Sequence, residues 1–456
     1  MMACLAWLAC AAPDAPAPSS SAEAAPGAPD LVLVGIAGLR GDTPSGARQA
    51  FGAALEDGAH STVAFSAAYA QSTSRFTSWG SILAGRYTSA IPLCGLLVSK
   101  AGAPGPWCNA FPEARKSLPE VLALYGYRTA LLASDLPGLA HYRRLFQDVL
   151  EADTAGVVSD WGALAGMARD WWEADASRPR LLVVATSDML VQERPALLAA
   201  AGLDAEGGRD GPPIDHARLF RAYAEAAGVA GAGTATLLEA LPSARARWAF
   251  AFGIHGLELA DSSEPWQALG SEQPWSDLLL ERTLHVPLVV VGPAASPAEA
   301  ASRREEARVV ELLDLLPTLT RLAGAVPPVL LPGSDLLVAA EDDPGIAYAE
   351  FGDMLAVRQG DRTYTVRGFF HYRSSLDPEL TNFLLDRTPN PMKHFLHDVA
   401  RDPFQQRNLL HADAAGAVRM HELMLSIRRG AGAPPPDALD ARRVFELRLS
   451  PSQGYW

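Results

Sequence analysis

Positive charge is scarce in this sequence. Its 456 residues include 38 Lys and Arg against 52 Asp and Glu, which gives a formal net charge of −14 at pH 7. Because a protein of this sign repels polyanions, the composition disfavours binding to nucleic acid, anionic lipid surfaces and sulfated polymers. Hydrophobic residues make up 49% and charged residues 20%, which is typical of a globular chain and argues against intrinsic disorder. Local basic pockets are compatible with this balance, so a small anion remains an acceptable ligand.

The N-terminal region has no apolar run long enough to span a bilayer. Residues 1–9 (MMACLAWLA) are apolar, end at Cys10 and are followed over residues 11–29 by a segment rich in Ala, Pro and Ser. This arrangement resembles the end of a bacterial lipoprotein signal, in which a cysteine behind small residues is cleaved and lipidated. We therefore predict a signal over residues 1–10, a flexible linker over 11–29, and an exported protein that a lipid on Cys10 anchors on the periplasmic or surface side of a bacterial envelope. An N-terminus without such a role is the alternative.

Cysteine is also rare, with four residues in the whole chain. Cys4 and Cys10 fall within the predicted signal, which leaves Cys94 and Cys108 for the folded part. These two flank a loop rich in Gly and Pro, a plausible place for a disulfide in an oxidising compartment. Two free buried cysteines are the alternative.

Short apolar runs alternate with amphipathic segments over nearly 300 residues. The runs predict strands over residues 31–36, 62–66, 128–134, 180–186, 247–253 and 285–292, and the amphipathic segments predict helices over 77–85, 117–127, 216–241 and 309–324. This alternation predicts an α/β domain over residues 30–340, with a mostly parallel sheet flanked by helices. Shorter alternating segments after residue 340, and a helix over about 414–429, predict a small antiparallel C-terminal subdomain over 341–430. Residues 431–456 are predicted to form an irregular tail.

Seven segments occur in an order and spacing that can be compared with a known family. They are LVLVGIAGLRGD (31–42), AYAQSTSRFTSWGSILAGRY (68–87), AYAEAAGVAGAGTATLLEAL (222–241), AFGIHG (251–256), LHVPLVVVGP (284–293), VVELLDLLPTLTRLAG (309–324) and HFLHDVARDPFQQRNLL (394–410). Together they resemble the sulfatase family of the alkaline-phosphatase superfamily from about residue 30 to residue 425. The resemblance implies the fold of that family.

The resemblance also implies a reaction, for which most of the required residues are missing. Sulfatases attack a sulfate or phosphate ester with an activated oxygen that sits on a divalent metal, such as calcium. Carboxylates hold this metal. The resemblance places Ala37 at the first metal carboxylate, Arg75 at the nucleophile, and Ile254 and His255 at the second pair of metal ligands. One imidazole cannot hold a hard cation without carboxylates. We therefore predict that the chain binds no metal cofactor and has lost metal-dependent ester hydrolysis.

Neighbouring residues offer partial substitutes. Asp42 matches the second acid of the opening motif, which is usually not a ligand, and a turn or cap role is its other interpretation. Thr73, Ser74 and Thr77 lie close to Arg75, but hydroxyls at a junction of loop and helix are more often caps than nucleophiles.

Arg75 suggests a function that does not require turnover. A guanidinium close to the N-terminus of a helix favours an anion, and His255 and His285 are expected nearby, so these three residues are a candidate site for sulfate, phosphate or a carboxylate. Pairing of Arg75 with a local carboxylate is the alternative, as is a structural role for His285. The leading hypothesis is thus a membrane-tethered pseudoenzyme that binds a small anion or an unknown protein partner. An active hydrolase with relocated catalytic residues and a purely structural role are its competitors.

Overall fold

The computed structural model describes residues 27–42, 45–56, 61–91, 116–134, 140–152, 159–189, 215–242, 245–257, 259, 279–293, 303–327, 331–338, 345–351, 354–367 and 393–431. The predicted signal and the sites at Cys4, Cys10, Cys94 and Cys108 lie outside these residues, as do most of the linker and all but the first residue of the tail.

In the described part of the chain, eight strands form the main sheet. They are β1 (Asp30–Ala37), β2 (Ser61–Tyr69), β3 (Arg128–Ala133), β4 (Asp148–Glu151), β5 (Arg180–Thr186), β6 (Arg247–His255), β7 (His285–Gly292) and β8 (Arg303–Glu311). Their order in the sheet is β4-β3-β5-β1-β6-β7-β2-β8, and β7 alone among them runs antiparallel to its neighbours. The predicted mostly parallel sheet is confirmed. The central strands are continuous apolar runs because helices cover both faces of the sheet. Residues 31–34 of β1, for example, are fully buried.

Helices of the described ranges pack on this sheet. They are α1 (Ala47–Glu56), α2 (Arg75–Ala84), α3 (Leu118–Leu124), α4 (Trp161–Ala174), α5 (His216–Ala240), α6 (Glu281–Leu284) and α7 (Leu315–Leu322). Asp215 begins α5 by accepting a hydrogen bond from the backbone N–H of Arg218 at 3.0 Å. Gly85 ends α2 in the left-handed conformation, with φ +59°. No helix of the described ranges is long and apolar enough to cross a membrane.

One predicted element is wrong in its first half. Residues 309–324 were predicted to form a single helix, but residues 309–311 end strand β8, residues 312–314 form a 3₁₀ turn, and α7 begins only at Leu315. The first half is a strand because Val309 and Val310 complete the pairing of β8 with Ala67 and Ala68 of β2. Both valines are β-branched, which suits a strand better than a helix.

A second sheet follows the first in the chain. It contains β9 (Ile346–Phe351), β10 (Met354–Gln359), β11 (Arg362–Arg367) and β12 (Lys393–Asp398), which are antiparallel throughout in the order β12-β11-β10-β9. Helix α8 (Ala414–Gly430) packs on β10 and β11. The predicted antiparallel C-terminal unit is thus confirmed as a sheet, whereas its boundary at residue 340 stays a prediction.

Candidate functional site

The carboxyl end of β1 is closed by apolar and backbone groups. Ala37, at the position where the resemblance places a metal carboxylate, is 1% exposed and pairs with His255 of β6. The chain turns at Gly38, whose φ of +81° suits glycine. The hydroxyl of Tyr223 on α5 donates to the Gly38 carbonyl and accepts from the N–H of Arg40 at 3.1 Å. A buried methyl group therefore occupies this position, and α5 holds the turn that follows it.

Asp42 is held by a buried arginine. Arg40 Nε donates to Asp42 Oδ1 at 2.7 Å and Arg40 Nη2 donates to Asp42 Oδ2, while Arg40 Nη1 donates to the Leu257 carbonyl at 3.3 Å. Arg40 is 0% and Asp42 4% exposed. A bidentate pair of this kind uses both carboxylate oxygens. Asp42 is therefore an ion-pair partner of Arg40 in this structure, and its backbone carbonyl also accepts from Ser45 Oγ at 3.0 Å, as in a turn.

Helix α2 packs against β6 and has Arg75 as its first residue. The helix begins at Arg75, two residues earlier than predicted. Ser74 is its N-cap residue, but the Ser74 side chain accepts no cap hydrogen bond. Thr77 lies within the first turn, where its Oγ1 donates to Ser72 Oγ at 2.6 Å. The Thr77 hydroxyl is thus committed to a local contact, and the first helical residue is a cation.

Ile254 is covered by an aromatic side chain of α2. Ile254 is 1% exposed, and a Cβ atom added to Gly35 would lie 2.6 Å from Trp79 Cζ2 and 3.0 Å from Ile254 Cγ1. The Trp79 ring also packs edge-on against Phe252, at 5.8 Å between centroids. The Trp79 indole and the Ile254 side chain therefore pack against Gly35 of β1.

His255 is buried and neutral at pH 7. Its Nδ1 lies 2.6 Å from the Gly256 carbonyl oxygen, so Nδ1 is the nitrogen that carries the hydrogen. Burial lowers the pKa of His255 to about 4; the hydrogen bond to Gly256 opposes this shift, and the positive charge of Arg75 adds to it. The charge of Arg75 thus contributes to the electrostatic environment of His255.

His285 belongs to a different polar network. Its ring stacks on Tyr69 at 5.1 Å, its Nε2 lies 2.8 Å from the Ser66 carbonyl oxygen, and its Nδ1 lies 3.3 Å from Glu281 Oε1. Glu281 also accepts from the Tyr69 hydroxyl at 2.6 Å and from Arg358 Nη1 at 2.8 Å. Both ring nitrogens of His285 therefore face protein acceptors. The anion site of Arg75, His255 and His285 stays a prediction.

The hydrogen-bond and ion-pair partners of Glu281 oppose the effect of its burial. Burial alone would raise the pKa of Glu281, but the Arg358 guanidinium and the contacts with His285 and Tyr69 outweigh it and lower that pKa to about 2. The network joins helix α6 and the following strand β7 of the main sheet to strand β10 of the second sheet. Its role in the described structure is to connect the two sheets.

The residues at the expected ligand positions do not fit a hard divalent cation. Calcium takes six to eight oxygen ligands and magnesium an octahedron of them. The expected positions hold Ala37, Arg75, Ile254 and His255, and the carboxylate of Asp42 is paired with Arg40. Across the described ranges, no group of three or more His, Cys, Asp or Glu side chains is placed to hold a metal ion.

Two acidic features at the carboxyl ends of strands were not predicted from the sequence. Asp188, two residues after β5, is 3% exposed and accepts from the Ser159 N–H at 2.8 Å. An acid directly behind a buried strand is the signal in the sequence that could have identified it. Glu311 and Asp314 were overlooked because they lie within an apolar segment that was taken for one amphipathic helix.

Glu311 and Asp314 are buried where the two sheets meet. Glu311 Oε2 accepts from the Tyr87 hydroxyl at 2.9 Å and Oε1 accepts from the Tyr348 N–H at 2.7 Å, while Asp314 Oδ1 accepts from the Ser334 N–H at 2.6 Å. Burial raises the pKa of Glu311 to about 8, and the charge of Asp314 adds to this shift. Burial likewise raises the pKa of Asp314 to about 6, against the hydrogen bonds that it accepts. Glu311 therefore carries a proton over much of the neutral range.

The arrangement of one mostly parallel sheet, a second antiparallel sheet and these strand-end segments defines a sulfatase-like α/β fold. Solved structures with this fold include a phosphonate monoester hydrolase of Agrobacterium radiobacter (TM-score 0.59, 16% identity, 88% of this chain and 96% of that chain). Another is a phosphonate monoester hydrolase of Silicibacter pomeroyi (0.61, 15%, 88% and 96%). A third is a 2-O GAG sulfatase (0.60, 15%, 91% and 94%).

The likeness extends over nearly the whole length of these structures, but at such identities it shows the fold alone. Neither a family model nor a curated protein sequence matches the chain. The fold expected from the resemblance to sulfatases is confirmed.

Proposed function

We propose that the chain is a sulfatase-like protein that binds a small oxyanion at Arg75 without hydrolysing it. The observation that carries this proposal is the position of Arg75, which is the first residue of α2 and contributes to the electrostatic environment of the neutral His255. The first N–H groups of a helix have no partner within the helix, and the helix dipole favours negative charge there. Guanidinium and backbone N–H donors together suit sulfate, phosphate or a carboxylate.

The absence of turnover in this proposal is supported by the chemistry of the residues at the expected catalytic positions. Ala37 and Ile254 offer no ligand atom, and Trp79 packs beside Ile254. Arg75 itself cannot act as an oxygen nucleophile. His255, with its Nδ1 hydrogen directed at Gly256, offers only the lone pair of Nε2 on its other side. A bound anion would favour the protonated form of His255, because opposite charges attract in a buried environment.

Calorimetry with millimolar sulfate and phosphate tests the anion site. Arg75→Ala is expected to weaken binding about tenfold or more, because a hydrogen bond to a charged group contributes about 1.5–3 kcal/mol. The matched control is Arg169→Ala, which removes an exposed arginine from α4 and should bind as the unmodified protein does. Equal heats for Arg75→Ala and the unmodified protein, or no heat from either anion, would contradict the proposal.

An active ester hydrolase with relocated ligands is the second candidate. It is favoured by Asp188, a buried carboxylate two residues beyond the carboxyl end of β5, the strand that pairs directly with β1. The named neighbours include sulfatases and phosphonate monoester hydrolases, so sulfate and phosphonate or phosphate esters are the substrate classes to examine.

Metal analysis of the purified protein, combined with assays on aryl sulfate, phosphate and phosphonate esters, separates the two candidates. We expect neither stoichiometric metal nor turnover above that of heat-denatured protein. Stoichiometric metal together with turnover that Asp188→Asn abolishes would establish the hydrolase and overturn the non-catalytic proposal.

We further propose that the protein is exported and anchored in a bacterial envelope through a lipid on Cys10. The support is the apolar run that ends at this cysteine and the Pro-, Ala- and Ser-rich segment behind it. Mass spectrometry of the mature N-terminus tests the anchor: a lipid-modified Cys10 supports it, and an unprocessed N-terminus contradicts it.

A further inference from the structure

A cleft of about 300 Å³ lies on the C-terminal unit. It is formed by the start of β11, the end of β12, the loop that follows β12 and the N-terminus of α8, and its lining residues are Arg362, Asp398, Arg401, Asp402, Arg407, Leu409, Ala412 and Asp413. None of the candidate residues at the edge of the main sheet lines this cleft. We call it the Arg362 cleft.

The three carboxylates of the Arg362 cleft are held in place by backbone N–H groups. Asp398 Oδ1 accepts from the N–H of Arg401 at 3.2 Å, and Asp402 Oδ2 accepts from the N–H of Arg407 at 2.7 Å. Asp413 caps α8 by accepting from the N–H of Gly416 at 2.9 Å. Each carboxylate thus uses one oxygen for the backbone and has a second oxygen that can accept further hydrogen bonds.

The guanidinium groups of the cleft approach these carboxylates without reaching hydrogen-bond distance. Arg362 Nη1 lies 3.6 Å from Asp398 Oδ2, Arg362 Nη2 lies 3.8 Å from Asp413 Oδ2, and Arg401 Nε lies 3.9 Å from Asp398 Oδ2. Within the described residues, Arg362 Nη1 is buried and makes no hydrogen bond. Polar groups at such separations are commonly joined by an oxygen that contacts both of them.

The balanced charges of the cleft favour a neutral ligand over a small ion. Three arginines face three aspartates, so an anion meets the carboxylates and a cation meets the guanidinium groups at similar cost. Arginine only donates hydrogen bonds and an ionised aspartate only accepts them, whereas a hydroxyl group does both. A neutral compound with several hydroxyl groups satisfies both kinds of group at once. Leu409 and Ala412 add apolar surface for the carbon atoms of such a ligand.

We propose that the Arg362 cleft binds a neutral polyhydroxylated ligand, such as one ring of a sugar. Its hydroxyl groups would accept from Arg362 Nη2 and donate to Asp413, bridging the gap of 3.8 Å, and a further hydroxyl would donate to Asp398. The volume is at the small end of the range for ligand pockets, which suits a ligand of about one sugar ring. This site is independent of the anion site at Arg75.

Saturation-transfer NMR with glucose, galactose and maltose at millimolar concentration tests this proposal. At least one of these sugars should receive saturation from the unmodified protein, and Arg362→Gln should weaken its binding about tenfold, since donors to charged acceptors are lost with the guanidinium. Asp413→Asn should also weaken binding. Because Asn caps helices as well as Asp does, this variant keeps the start of α8 intact and separates binding from folding.

The matched control is Arg419→Gln, which removes an exposed arginine from α8 outside the cleft and should leave sugar binding unchanged. Thermal unfolding of each variant checks that it is folded. The proposal is overturned if none of the sugars receives saturation, if Arg362→Gln binds as well as Arg419→Gln does, or if sulfate displaces the sugar, because the last result would identify an anion site instead.

Discussion

Replacing Arg40 with methionine should lower the free energy of unfolding by about 3–5 kcal/mol, one of the largest effects expected of a single substitution in this protein. The substitution keeps a long apolar stem but leaves Asp42 buried, at 4% exposure, without the guanidinium that donates to both its oxygens. It also removes the donor to the Leu257 carbonyl. Urea denaturation at neutral pH, with the midpoint and slope compared between variants, measures the loss.

An exposed ion pair provides the matched control for Arg40. Arg178 lies 3.1 Å from Asp175, with side chains 44% and 31% exposed, so Arg178→Met should cost less than about 1 kcal/mol. The double variant Arg40→Met with Asp42→Leu should recover part of the lost stability, because the unpaired buried charge is then gone. If Arg40→Met and Arg178→Met lose the same amount, the Arg40–Asp42 pair does not have the structural role assigned to it.

Glu311→Gln should flatten the pH dependence of stability between pH 6.5 and 8. Burial raises the pKa of Glu311 from 4.5 to about 8, so in this window the folded protein holds a proton that the unfolded chain has released. Stability conferred by that proton is complete below pH 4.5 and is lost as the pH rises to 8. The slope contributed by one group is at most about 1.4 kcal/mol per pH unit. Glutamine cannot ionise, so its contribution to the slope disappears.

Asp314 and His255, whose pKa values are also shifted, act outside this window. Asp314, with its pKa raised to about 6, loses its contribution as the pH rises from 3.8 to 6. His255, with its pKa lowered to about 4, destabilises the fold only as the pH falls below 6.5. Thermal melts at intervals from pH 6 to 9 should therefore separate Glu311→Gln from the unmodified protein and from Glu239→Gln, an exposed control on α5. Parallel curves for all three would show that Glu311 does not hold the proton.

The pattern of apolar residues was sufficient to predict most of the strands. β5 and β7 begin and end at the predicted residues, because continuous runs such as RLLVVAT can be buried only within a sheet that is covered on both faces. β8 was missed because its first half, RREEAR, is charged and part-exposed at the edge of the sheet. A charged edge strand carries little periodic signal, and its identity depends on pairing with β2, which is distant in sequence.

The candidate site could be predicted only in part. The motif positions identified Ala37, Arg75, Ile254 and His255, and the charge of Arg75 contributes to the electrostatic environment of His255. The partners of nearby residues were not predictable. The contacts of the His285 ring with Ser66 and Glu281 are an example. Such contacts depend on side-chain directions that no sequence spacing specifies.

The sequence by itself predicted most of the strands, the sulfatase-like fold and the residue types at the expected catalytic positions, because hydrophobic periodicity and motif spacing are local properties of the chain. Only the tertiary structure decided which polar groups meet. The pairing of Asp42 with Arg40, the covering of Ile254 by Trp79 and the burial of Glu311 between two sheets each depend on packing between elements. Packing sets the distances and the solvent exposure on which charge interactions depend, and for that reason it decides what the residues of the site can do.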